Sequence, residues 1–244
     1  MTPRDGTVVR LLDVRPDLRQ GLDAQDVVAA RLHVVARTVD LRPGQWTPPT
    51  LPSGRGDHLA LLVVDGILSR TVTLAGRTAI ELLGDEDLLR PWDDQADATS
   101  VSADVTWTVL RATRLALLDE SFAARIAPWP SISAALLART VWRSRWLARH
   151  LAILDQPRLD VRLVLLFWEL ADRWGRVAPD GVSVPLPLTH QTLGRIIRAQ
   201  RPSVTAALKQ LRERGFLTRE PDGSWVIHRD AAEQLRELVE RVTA

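Results

Sequence analysis

The chain has 244 residues, of which 45% are hydrophobic and 25% charged, and its formal net charge is only +2. This is enough apolar sequence for one or two globular domains, and the total charge names no partner. It contains no cysteine, which excludes disulfides, thiolate zinc sites, cysteine-held iron–sulfur clusters and a cysteine nucleophile, and fits a reducing cytoplasm. No apolar run reaches the ~18 residues of a membrane helix, and the opening MTPRDGTVVR lacks the apolar core of a signal peptide, so a cytoplasmic protein with no membrane partner is expected.

Between Asp17 and Val35, the residues Leu22, Val27, Val28 and Leu32 recur at helical spacing and predict one or two short helices. From Thr38 the rhythm changes. RTVDLRPGQW, LALLVVDGILSRTVTLAGRTAIELLG and DVTWTVLRATRLALLD are apolar, β-branched runs cut by Pro-Gly, Asp-Gly and Gly-Arg. Asp65-Gly66, between two such runs, predicts a hairpin turn. Several short strands at this spacing predict an antiparallel sandwich or roll.

After Trp129-Pro130 the strand signals stop. Ser131 to Leu154 holds neither Gly nor Pro and carries a stripe of Leu137, Val141, Ala148 and Leu151, flanked by Leu136, Leu147 and Leu154. It predicts a helix of about seven turns at ~3.6 residues per turn. With Trp142 and Trp146 also expected on its surface, its apolar side is broader than one domain face needs. The helix therefore either seals a dimer or packs along the strand domain. Asp155-Gln156-Pro157 ends it, because proline disfavours helical geometry in the residue before it. The predicted organisation is α+β, with a β-rich domain over 1–129, a long helix over 130–155 and a second domain over 156–244.

The second domain opens with a helix from Arg158 to Trp174, with Leu159, Leu163, Leu166, Phe167 and Leu170 on its inner side. Thr189 then offers an N-cap to a short helix whose apolar face is Leu193, Ile196 and Ile197. Pro202 suits the first turn of a new helix, where no amide bond is lost. Val204, Ala207, Leu208 and Leu211 follow at i, i+3, i+4 and i+7, opposite Pro202, Ala206 and Lys209, with Ser203, Thr205 and Gln210 flanking. Two short helices so joined make a helix-turn-helix. Gly215 ends the second, FLTREPDGSWVI reads as strand, Pro-Asp-Gly turn and strand (a wing), and Asp230 to Glu233 is a capping box before a last amphipathic helix through Leu235, Leu238, Val239 and Val242.

Charge is concentrated in this module. Thr189–Arg219 carries Arg195, Arg198, Arg201, Lys209, Arg212, Arg214 and Arg219 against the single acid Glu213, a surplus of six, which leaves the rest of the chain at −4. A basic module on an acidic body is the footprint of a polyanion binder. Small side chains on the outward face of the second helix let it enter a major groove, and Lys209 with the arginines can neutralise phosphates.

LAILDQP closing a long helix, LPLTHQTLGRIIRAQRPSVTAALKQLRERGFL, and LRPGQW and ELLGDEDLLRPW in the strand domain together resemble the Crp/Fnr family of bacterial transcription regulators. The resemblance implies a cyclic-nucleotide-binding-like β-roll, a long dimerisation helix and a winged helix-turn-helix. It further implies a homodimer that reads a two-fold site on double-stranded DNA, with RNA polymerase as a further partner. Against the family pattern Ser-Arg-Glu-Thr-Val stands Gln200-Arg201-Pro202-Ser203-Val204. Arg201 thus matches the guanine-contacting arginine, and Thr189, His190 and Gln191 match the phosphate-contacting start of the preceding helix. Pro202 replaces the base-reading glutamate, and Ala206 stands where many members have a second arginine. The DNA-binding set implied is Thr189, His190, Gln191, Gln200, Arg201, Pro202, Ser203, Thr205, Ala206 and Lys209, with an operator unlike that of the best-known members.

The sensor segment departs further. Cyclic-AMP binders of the family use a Gly-Glu-Leu turn and a following arginine; the corresponding segment is Arg90-Pro91-Trp92. Pro91 to Leu110 has no Arg, Lys or His but contains Asp93, Asp94, Asp97 and Asp104. Such a loop repels phosphate, so cyclic AMP is not expected to bind. No cofactor or metal is expected, and another small effector is left open. An enzyme is not expected either: there is no phosphate loop, no Gly-x-Ser-x-Gly elbow and no paired-histidine metal spacing, and Asp85-Glu86-Asp87 reads as a solvated turn. The alternative to a DNA reader is a sensor or interaction module whose winged helix binds a protein.

Overall fold

Two long strands organise the first of the chain's two units, Met1–Arg145 and Trp146–Ala244. The protein is represented by a computed structural model that describes residues 4–48, 58–93 and 102–231. In the first unit, β1 (Arg4–Arg10), the short helix α1 (Leu11–Val14), a 3-10 turn (Pro16–Arg19) and α2 (Ala24–His33) precede β2 (Val35–Leu41) and β3 (Gly44–Trp46). Then come β4 (His58–Leu74), β5 (Arg77–Gly84), β6 (Leu88–Leu89), β7 (Asp104–Asp119), α3 (Glu120–Ile126) and α4 (Pro130–Leu154), whose residues through Arg145 belong here. The strands form one antiparallel sheet in the order β1-β2-β7-β4-β5, with β3 paired to β7 and β6 to β4. This is the expected β-roll architecture followed by a long helix.

The apolar runs of β4 are continuous because both faces are buried. Ala60, Leu62 and Val64 pack with Leu11, Leu12, Leu18, Phe122 and Ile132, whereas Leu61, Val63 and Leu68 pack with Leu83, Trp107, Val109 and Leu115. Successive residues of a strand face opposite sides, so burial of both sides removes the polar half of the alternation. The hairpin expected at Asp65-Gly66 does not form. β4 runs straight through this dipeptide, and its pairing with β7 shifts register on both sides of Asp65. Gly66 has φ +111, and a Cβ there would collide with Thr113 and the Ala112 carbonyl on β7. The glycine therefore serves a β-bulge and a close strand approach. The reversal comes at Ala75-Gly76, whose φ values are +47 and +72, between β4 and β5. Pro43-Gly44 also reverses nothing, since β2 and β3 both pair with β7.

Asp85-Glu86-Asp87 is not a solvated turn. Asp87 is buried and accepts a hydrogen bond from the Gly84 amide at 2.8 Å. Arg15, itself buried, donates to the Val64 carbonyl at 2.5 Å and lies 3.7 and 3.6 Å from Asp85 and Glu86. Burial raises the Asp85 carboxyl above its ordinary value, against the opposing pull of Arg15. Helix α4 is tied to this side of the roll by Arg139, which pairs with Asp17, and by Arg143, which grips Glu81 of β5 with two bonds of 2.7 Å.

The second unit holds the last turns of α4, then α5 (Leu159–Trp174), β8 (Arg176–Ala178), β9 (Gly181–Val184), α6 (His190–Ile196), α7 (Arg201–Glu213), β10 (Leu217–Arg219) and β11 (Trp225–His228). Its sheet runs β10-β11-β9-β8. Val161, Leu163, Val164, Leu166, Phe167 and Leu170 of α5 are all buried. The capping box and the final helix expected from Asp230 onward lie, beyond Ala231, outside the described residues. Among the described residues no helix is long and apolar enough to cross a membrane.

Helix α4 departs from expectation at Trp146. Leu137, Val141, Trp142, Leu147 and Leu151 are exposed, but Trp146 is buried, as is His150. His150 stacks on Trp146 at 5.3 Å, and its Nδ1 lies 3.5 Å from a carboxylate oxygen of Glu169, which is only 3% exposed. A buried carboxylate needs a partner, and here the partner comes from α4. Replacing His150 with Leu should therefore cost ~1–3 kcal/mol, because it removes a partner of Glu169 and leaves that carboxylate to the exposed Arg149, 3.8 Å away. Replacing both His150 and Glu169 with Leu should recover most of that loss. Urea denaturation of the two variants checks this; a double variant as unstable as the single would show that the pair is not coupled.

Candidate nucleic-acid interface

The short helix α6 begins where Thr189 caps it: the Thr189 hydroxyl accepts from the Thr192 amide at 3.0 Å. Leu193, Gly194 and Ile196 turn inward. Four residues, 197–200, then connect it to α7. Arg198 takes the left-handed conformation at φ +56, and the Ala199 amide closes back on the Gly194 carbonyl at 2.8 Å. Arg162 of α5 holds the turn from below, donating to the Ile197 carbonyl at 2.9 Å. Helix α7 starts one residue ahead of the proline, so Pro202 sits in the first turn, where amides have no intrahelical partner to lose.

Val204, Ala207, Leu208 and Leu211 bury one side of α7, while Arg201, Pro202, Ser203, Thr205, Ala206 and Lys209 are all exposed on the other. The helix closes with two bonds, from the Gly215 amide to the Arg212 carbonyl (3.0 Å) and from the Phe216 amide to the Leu211 carbonyl (2.9 Å). This paired closure is the Schellman arrangement, with Gly215 just past the helix end. The wing follows as expected: Glu220 and Ser224 are bonded across the Pro-Asp-Gly turn at 2.9 Å, and Asp222 accepts from the Ser224 amide and hydroxyl.

Thr189, Gln191 and Gln200 are exposed at the edges of the helix pair, and His190 is half-buried. The structure brings His190 and Thr205 together, with Nδ1 2.9 Å from the hydroxyl oxygen. Burial first, and then the cations of Arg219 and Arg201, hold the His190 imidazole below its ordinary value of 6.5. Arg219, which belongs to the basic module but not to the predicted contact set, thereby joins the site; its guanidinium lies 5.7 Å from the Trp225 ring, and Trp225 in turn faces His190 at 6.3 Å. Only its position on the wing, three residues past Phe216, hinted at this. Lys209 pairs with Glu213 at 3.8 Å, but both are largely exposed and such a pair contributes little.

Gly194 sets the spacing of the two helices. A Cβ there would come within 2.6 Å of the Ala199 carbonyl oxygen and 3.5 Å of Val204. Gly194→Ala should cost ~1–3 kcal/mol through this overpacking, whereas Pro202→Ala, on the exposed face, should change stability little. Urea denaturation reads both; an unchanged midpoint for Gly194→Ala would mean that the helix pair tolerates a wider spacing.

A family model described as "Crp-like helix-turn-helix domain" matches residues 161–238. No curated protein matches the sequence. Solved structures share the fold along most of the chain. A CooA variant from Carboxydothermus hydrogenoformans superposes with a TM-score of 0.63 at 15% identity, covering 92% of this chain and 94% of its own. FixK2 from Bradyrhizobium japonicum gives 0.61 at 19% identity, covering 83% and 96%. A CRP/FNR-family transcriptional regulator from Thermus thermophilus gives 0.53 at 20% identity, covering 83% and 98%. The C-terminal domain is thus a Crp-like helix-turn-helix domain, carried on a chain with the fold of the Crp/Fnr-family regulators.

Proposed function

We propose that this protein is a DNA-binding transcription regulator that works as a homodimer, with α7 lying in the major groove of each half of a two-fold site. The observation that carries the reading is the division of α7 into a fully buried apolar side and an exposed side of small and basic residues, Arg201, Pro202, Ser203, Thr205, Ala206 and Lys209. A helix anchored on one side and small on the other reaches base edges without steric conflict. Thr189, His190, Gln191 and Gln200 flank it as backbone contacts. In this reading the region 130–155 is the dimer element. Control by cyclic AMP has no place in it: Arg90, beside the segment where family binders hold phosphate, is taken up by Asp93 at 2.6 Å and by the Leu59 carbonyl. Asp94 and Asp97 of the acidic loop lie outside the described residues.

Dimerisation follows from the exposed stripe of α4. Leu137 is 65% exposed, Leu151 58% and Val141 47%, and a seam of this spacing is buried by a second copy of the same helix. Replacing Val141 and Ala148, both exposed, with Glu should give monomers in analytical sedimentation and abolish tight DNA binding. A wild-type protein that is monomeric at micromolar concentration would contradict this.

Arg201, exposed at the start of α7, is assigned in this reading a bidentate contact to guanine, and loss of one such contact costs ~1–3 kcal/mol and relaxes preference at one base pair per half-site. Lys209, two turns on, is suited to phosphate. Arg201→Ala should change sequence preference, and Lys209→Ala should weaken all sequences alike and reduce the salt slope by about one per subunit. Binding to randomised duplexes at several salt concentrations tests both. An affinity independent of salt would favour a protein ligand instead.

A further inference from the structure

Thr205 has one hydroxyl proton and two neighbours within hydrogen-bond distance. It donates to the Arg201 carbonyl one turn back at 3.0 Å, and its oxygen lies 2.9 Å from His190 Nδ1. A carbonyl oxygen cannot donate, so the two contacts coexist only if His190 supplies the other proton. Nδ1 is therefore protonated and donates to Thr205, which leaves Nε2 as the nitrogen that gains or loses a proton. The charged groups acting on this ring come from two further elements, Arg201 at the start of α7 and Arg219 at the end of β10, and both are cations. Trp225 from β11 lies against the ring at 6.3 Å. Burial and the two cations favour the neutral imidazole, and an anion brought close to the ring favours the charged form.

We propose that His190 is a proton-linked phosphate contact, taking up a proton when DNA phosphate meets the ring and Arg219, so that acidification tightens DNA binding. The inference rests on the DNA-binding reading above and adds to it a chemical coupling. Phosphate offsets the Arg219 charge and gives the new Nε2–H an acceptor, and both effects favour the imidazolium. The Thr205 hydroxyl, which the sequence places in the DNA-binding set, is instead committed to holding the ring. Because the ring in the free protein is held below 6.5 and the complex raises it, affinity grows as pH falls through the bound value and levels off below the free value.

The test is calorimetric titration of the full chain with a duplex selected from random-sequence DNA, at one pH in buffers of different ionisation enthalpy, and then across about pH 8 to about pH 5. Net uptake of up to one proton per subunit is expected, with affinity rising roughly tenfold per subunit for each unit by which the complex raises the ring's pKa. His190→Arg, permanently charged, should bind with neither uptake nor pH dependence. His190→Gln should also lose the uptake and should bind more weakly than wild type at low pH. Wild-type binding without proton uptake, or uptake that survives in both variants, overturns this inference and leaves the DNA reading standing. Failure to bind any duplex at any pH overturns both.

Discussion

At Gly194 helix α6 meets the backbone of the turn that leads into α7, with the Val204 side chain of α7 beside it, and the presentation of every exposed residue on α7 follows from that contact. The Gly194 carbonyl accepts from Ala199, Val204 packs against the same point, and Arg162 fixes the intervening turn. With the spacing set, Val204, Leu208 and Leu211 reach the core, and the opposite side of the helix has no choice but to face solvent. That side carries no large apolar residue. The apolar side anchors the helix, and the glycine contact fixes which residues the polar side presents.

The same economy governs the strand domain. β4 and β7 contribute residues to both apolar clusters, and in one of them Trp107 meets Trp46 edge-on at 5.8 Å. The bulge at Gly66 lets β4 keep pairing with β7 on either side of it. Charged residues are admitted where they join elements: Glu81 to Arg143 of α4, and Asp85 and Glu86 to Arg15. On α4, Leu137, Val141, Ala148 and Leu151 form the apolar stripe, and all four are exposed.

The helix-turn-helix was legible because each of its signals is local: a threonine cap, a proline in a first turn, an apolar set at i, i+3, i+4 and i+7. The misread features depend on contacts distant in sequence. Asp65-Gly66 looks like a hairpin until Thr113, far along the chain, occupies the space where a Cβ would go. Trp146 looks like a surface residue until His150 stacks on it and Arg173 of α5 lies over its ring at 4.8 Å, with Glu169 of the same helix beside His150. Likewise, nothing within α7 says that Thr205 is held by His190, fifteen residues earlier. The resemblance of the basic module to a known family singled out α7 as the proposed recognition helix; which of its hydroxyls are already taken by a neighbouring imidazole was visible only in three dimensions.

In the proposed homodimer two copies of α7 enter successive major grooves on one face of a duplex. Protection mapping on a duplex selected from random-sequence DNA tests this, with hydroxyl radicals reporting the backbone and methylation reporting guanine N7 in the major groove. Two symmetric protected segments are expected, each with a shielded guanine N7, their centres about 34–36 Å apart or one helical turn. A single protected segment without a symmetric mate, or protection confined to the minor groove, would contradict it.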